Sequence, residues 1–205
     1  MHARGRLRLQ AMATIPPPPV FLSQVGRAAH DLGLAGLLGG NLFGRLALHP
    51  SVTTISDESE RGKVVNAAWR RYGAINTVSL LAVGIGWAGA RANEAADPRL
   101  SDDERRLARA KDVLVGAVVA TGFASAVQGV RFASKAPNGA VPLRDGDHAA
   151  AHASLDARRA KARLNALGAA TLVAEAALVA VNAALNQQSF RRPPLRRLLP
   201  RVGRV

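Results

Sequence analysis

Of the polar residues within the apolar stretches of this 205-residue chain, six form the candidate cluster on which chemistry could be built: Asn41, Arg45, Asn76, Ser125, Gln128 and Glu175. Glu175 stands out. It is the one charge in Leu164 to Leu185, LNALGAATLVAEAALVAVNAAL. A rotation of about 100° per residue places Gly168, Thr171, Glu175, Asn182 and Asn186 on one helical stripe. Unpaired polar groups are costly in lipid, so that stripe is expected to turn inward. Counting ~1.5 Å per residue from the end shared with the turn between spans 1 and 2, Arg45 and Asn76 lie about 5 Å deep, Asn41 about 10, Ser125 about 12 and Glu175 about 16. These five thus occupy one half of the membrane, and Gln128 joins them in the cluster. Glu175 is expected to be hydrogen-bonded or paired there, with Asn41 or Arg45 as its partner. Such a cluster serves either as interhelical glue or as a small cavity for a polar ligand, ion or proton.

Other chemistry finds little support. His148 and His152 have the i, i+4 spacing of some zinc ligands, but DGDHAAAH lacks the Glu of HExxH and a third ligand. His30 and His49 flank opposite ends of the first span, too far apart to hold one haem. GxxxxGK[ST], GxSxG and a GxGxxG following a strand are all missing. With no cysteine there is no thiolate nucleophile or disulfide. No catalytic residue, cofactor or metal is expected.

The elements that would position the six residues are helices. Apolar residues collect in four windows, about 32–48, 72–92, 113–133 and 164–185, each near the length needed to cross ~30 Å of hydrocarbon. The expected fold is all-α, a four-transmembrane-helix bundle over 26–190, between a disordered N-terminal tail (1–25) and a basic C-terminal tail (191–205). In the first window Gly36, Gly40 and Gly44 form a GxxxGxxxG ridge, extended by Gly33, that admits a neighbouring backbone within the protomer or in a homodimer. Pro50 is expected to end this helix. Asp57 with Glu60, and Ser101 with Glu104, have capping-box spacing ahead of the second and third helices. Gly73, Thr77 and Gly84 read as a packing stripe, and Trp69 and Trp87, ~27 Å apart along a helix, fit two interfacial aromatic belts. The segment SKAPNGAVPLRDGDHAAAHAS reads as the least structured loop.

The net charge of +14 comes from 28 Lys and Arg against 14 acids, gathered beside the apolar windows without interleaved aromatics. That pattern points to anionic lipid headgroups as partner, not nucleic acid. Placing both termini in the cytoplasm puts 16 basic residues on that side and 11 in the other two loops, so this orientation is the expected one for a multi-pass cell-membrane protein.

The stretches HDLGLAGLLGGNLFG, RGKVVNAAWRRY and RLNALGAATLVAEAALVAVNAALNQ together resemble a group of uncharacterised four-span integral membrane proteins of actinobacteria, over about Gly26 to Gln188. The resemblance implies a bacterial inner-membrane location and carries over no activity. Two function classes follow from the residues. One is a structural or accessory envelope component, self-associating or part of a larger complex. The other is a small transporter, channel or ligand-binding module built on the polar half-bundle. The ridge and the absence of an internal repeat favour the first.

Overall fold

The computed structural model describes residues 20–136 and 140–190, so the expected disordered N-terminal tail, for the most part, and the basic C-terminal tail lie outside the described residues. Four long helices make up the fold: α1 Val20–Phe43, α2 Glu58–Ala92, α3 Asp102–Ala133 and α4 Leu155–Phe190. Among the described residues there is no strand, only an isolated bridge between Leu143 and Ala149.

Capping chemistry sets where the helices begin. The Asp57 carboxylate accepts from the backbone N–H groups of Ser59 (2.7 Å) and Glu60 (2.9 Å), and these two bonds hold its pKa below the usual aspartate range. The expected reciprocal bond from Glu60 is replaced by a 2.7 Å pair with Lys63. At Ser101 both halves of the capping box form, with Glu104 returning to the Ser101 N–H at 2.9 Å.

Pro50 does not end the first helix. Beyond Phe43 the chain widens into a π-helical turn, Gly44–Leu48, then runs through the short helical segment His49–Ser51 into a 3-10 turn at Val52–Thr54. The His49 N–H reaches the Gly44 carbonyl, five residues back. Proline removes one helical donor, and a local change of helix type just ahead of it lets the chain continue.

α1 packs antiparallel on α2, and α3 on α4, in two intimate hairpins that meet more sparsely through α2 with α3 and α1 with α4. Leu34, Leu37, Val83, Val118 and Leu178 fill the centre. A second apolar cluster, including Val65, Phe132, Val141, Leu143 and Ala157, closes the end where the α1–α2 turn and the α3–α4 loop meet. The loop expected to be least structured therefore contributes core. Val141, Leu143 and Ala150 are fully buried, the Leu143 N–H donates to the Glu58 carbonyl at 2.9 Å, and Gly62 lets the Val141 carbonyl approach α2 where a Cβ would collide.

Among the described residues three helices, α2, α3 and Leu155–Gln188 of α4, are long and apolar enough to cross a membrane. α1 is not among them, since its α-helical run stops at Phe43 and contains Asp31 and Asn41. Large apolar side chains point outward along the helices, among them Val78, Ile85, Val113, Phe123, Val130 and Val173. The expected α2 stripe of Gly73, Thr77 and Gly84 does not pack as one: Thr77 is exposed, and a Cβ added at Gly73 would meet nothing within 4 Å. Both tryptophans turn toward protein partners. Trp87 is buried and donates to Asp112 at 2.8 Å, and half-buried Trp69 donates to His49 at 3.2 Å.

The α2–α3 link is clamped by Arg91, which binds Asp97 (2.9 Å) and Asp112 (3.0 Å). The hydrogen bond from Arg91 holds the Asp97 carboxyl below its ordinary value of 3.8. The stabilisation this gives is complete above that value and is lost as pH falls through the lower folded pKa. Acid unfolding should therefore show a decline in stability below 3.8 that is smaller in Asp97→Asn. Superimposable pH profiles for the two proteins would show that the clamp contributes nothing.

Candidate functional site

The site begins with α4. Its inward stripe puts Thr171 and Glu175 in the interior, Glu175 with no exposed surface, while Asn182 is half-buried and Asn186 is exposed. Opposite lies α1. Asn41 Nδ2 donates to both carboxylate oxygens of Glu175, at 2.8 and 3.0 Å. Of the two expected partners, then, it is the asparagine that reaches the acid.

Arg45 goes elsewhere. Its Nη2 donates to the Asn165 carbonyl at 2.7 Å and passes Gly168, where a Cβ would come within 3.2 Å. The π-helical turn from Gly44 onward carries it toward the loop end and away from Glu175. Gln128 likewise donates to an α4 carbonyl, that of Ala160, at 3.5 Å. Asn76 is half-buried and takes no part in the bonds at Glu175. Ser125 Oγ is buried with no hydrogen-bond partner among the described residues. The six residues therefore form one direct pair, two side-chain anchors to the α4 backbone, and two residues outside the network.

The glycine ridge lies against α2. Ser79 sits over Gly33 and Gly36, the Tyr72 ring over Gly40 and the Trp69 ring over Gly44. Tyr72 fixes the arrangement by donating to the Gly36 carbonyl at 2.7 Å. On the same side of α1, His30 Nδ1 meets the Val83 carbonyl at 2.9 Å. Between α1 and α2 the ridge is thus used within the protomer.

Two further polar layers were not singled out from the sequence. Near the termini, buried Lys111 donates to Asn182 at 2.5 Å and lies 4.2 Å from the Trp87 ring centroid, and Asn182 donates to Asp31 at 3.1 Å. Lys111 had a legible signal, for it continues the buried α3 stripe of Ala108, Val115, Val118 and Gly122 at helical spacing. At the loop end His49 pairs with Asp147 at 2.9 Å, Asn165 donates to the Asp147 carbonyl, and Lys161 is buried beside the Phe132 ring. That layer depends on a loop folding back, which periodicity does not show.

His148 and His152 separate. His148 pairs with Asp145 at 2.8 Å and His152 with Glu58 at 3.4 Å. Among the described residues no group of three or more metal-ligating side chains converges. No family model, curated protein or solved structure matches the chain.

Proposed function

We propose that this chain is a four-span integral membrane protein, with α1 as its most polar span, that acts as a structural or accessory envelope component through helix packing. The observation that carries this reading is the direct bonding of Glu175, which has no exposed surface, by the half-buried Asn41 amide at both carboxylate oxygens. A carboxylate whose two oxygens are both taken by one asparagine is a tie between α1 and α4. Leu34, Leu37 and Leu178 fill the interior between this pair and the Lys111 layer, which supports a dry core over a polar route. The outward apolar side chains of α2, α3 and α4 suit lipid. The resemblance to four-span actinobacterial proteins supports a bacterial inner-membrane location, and the basic-residue asymmetry supports cytoplasmic termini. No catalytic role is proposed.

Carbonate extraction of membranes should leave the protein in the pellet, and release into the soluble fraction would overturn the membrane reading. Purification in mild detergent followed by mass spectrometry should recover a stoichiometric protein partner or a self-assembled oligomer. A retained small molecule in a solitary monomer would instead favour a ligand-binding or transport role.

A further inference from the structure

Many cations of the bundle are neutralised in place: near the termini Arg27 pairs with Glu94, Arg91 with Asp97 and Asp112, Arg105 with Asp102, and Arg106 with Asp103, and at the loop end Arg144 pairs with Asp145. At the loop end Arg70 and Arg71 are exposed on α2 and have no hydrogen bond or ion pair among the described residues. The nearest pair along the helix, Glu60 with Lys63, is already closed on itself at 2.7 Å. Ala67, Arg70 and Arg71 line a surface recess of about 250 Å³.

What lies beyond the recess narrows the class of ligand. At about 100° per residue, Ala67, Arg71, Ala74, Val78 and Leu81 share one side of α2, each within roughly 40° of their mean direction. All are exposed, Val78 at 67% and Leu81 at 56%. From Arg71 to Leu81 the helix rises ~15 Å, which is half of a ~30 Å hydrocarbon core. A ligand matching this face is anionic at one end and apolar for the depth of one leaflet. A soluble anion would leave the apolar track unused, and an uncharged lipid would leave two guanidinium groups without a counter-ion.

We propose that this face of α2 is a binding site for an anionic phospholipid, with its phosphate between Arg70 and Arg71 and an acyl chain along Ala74, Val78 and Leu81. The inference rests on the membrane reading above and adds to it a defined lipid class at a defined place. Guanidinium groups suit the role because their N–H forks match phosphate oxygens.

The test uses the full-length protein in detergent micelles, titrated with phosphatidylglycerol or phosphatidylcholine and read by native mass spectrometry. Phosphatidylglycerol should bind and phosphatidylcholine should not. Arg70→Gln with Arg71→Gln should weaken binding roughly 25-fold, about fivefold for each basic side chain at an anionic surface. Both side chains are exposed, so the variant should keep the parent's thermal stability. Arg158→Gln with Arg163→Gln, which removes two other exposed cations, should leave binding unchanged. Equal losses in the two double variants would overturn the site in favour of diffuse attraction. Equal binding of phosphatidylcholine would overturn the role of the arginines. Displacement by glycerol phosphate at the concentration of the lipid would identify a soluble phosphate as the ligand and overturn the lipid. A protein that stays in carbonate-washed membranes yet shows no preference for phosphatidylglycerol refutes this site alone, whereas release by carbonate refutes the membrane reading and the site with it.

Discussion

Gly40→Leu is expected to cost several kcal/mol of stability or to prevent the α1–α2 hairpin from forming. A Cβ at this position would already fall within the Tyr72 ring, before any further leucine atoms are added. The ring cannot swing aside freely, because its hydroxyl is tied to the Gly36 carbonyl at 2.7 Å. Overpacking usually costs about 1–3 kcal/mol where neighbours can shift, and this neighbour is held. Gly39 provides the control on the same helix. It is exposed, and a Cβ added there would meet nothing within 4 Å, so Gly39→Leu should be neutral or should gain up to about 1 kcal/mol of helix propensity. Thermal unfolding in detergent distinguishes the two. Equal midpoints for Gly39→Leu and Gly40→Leu would mean that the ridge is not packed as described. Tyr72→Phe should cost less, about 0.5–1.5 kcal/mol, since it removes one hydrogen bond and keeps the ring.

The contrast between Gly39 and Gly40 also shows how far the sequence could be read. A GxxxGxxxG spacing defines a ridge on α1, and the helices, their caps at Asp57 and Ser101, and the inward stripe of α4 all follow from period and residue type. What meets the ridge does not follow, because bulky Tyr72 and Trp69 fit into it in place of the small residues that a close backbone approach leads one to expect. Both rings are half-buried against α1, whereas Trp69 at its spacing from Trp87 reads in the sequence as an interfacial residue. The count of spans is a similar case. α1 carries Asp31 and Asn41 and runs into a π-helical turn after Phe43; α4 bonds both side chains and Tyr72 of α2 bonds the Gly36 carbonyl, a context that a window of hydropathy does not contain. In the α3–α4 loop, breakers such as Pro142 and Gly146 outweigh the alternation of Val141 and Leu143 that buries both. Gly146 is required there by contact, since a Cβ would run into His49.

The strongest test of the polar site is a double-mutant cycle on Asn41 and Glu175. Glu175→Leu should destabilise by about 1–3 kcal/mol, because it strands the Asn41 amide against α4 without an acceptor. Asn41→Leu should cost at least as much, since it leaves a carboxylate with no exposed surface and no donor. Joining the two removes both polar groups, and an apolar pair of similar size at such a position is close to neutral. The double variant should therefore be more stable than either single one, a coupling that independent sites do not show. Glu175→Gln should be tolerated, because its amide oxygen can still accept from Asn41. The membrane setting bounds the size of the effect, as interhelical hydrogen bonds in bilayers average nearer ~0.6 kcal/mol. Additive losses in the cycle would mean that Asn41 and Glu175 act separately, and the tie to α4 would then have to come from Asp31 with Asn182 and from Arg45, just beyond α1, with the Asn165 carbonyl. A Glu175→Gln protein that keeps its fold and its oligomeric state but loses a measurable ion or proton flux would move the carboxylate from packing to transport.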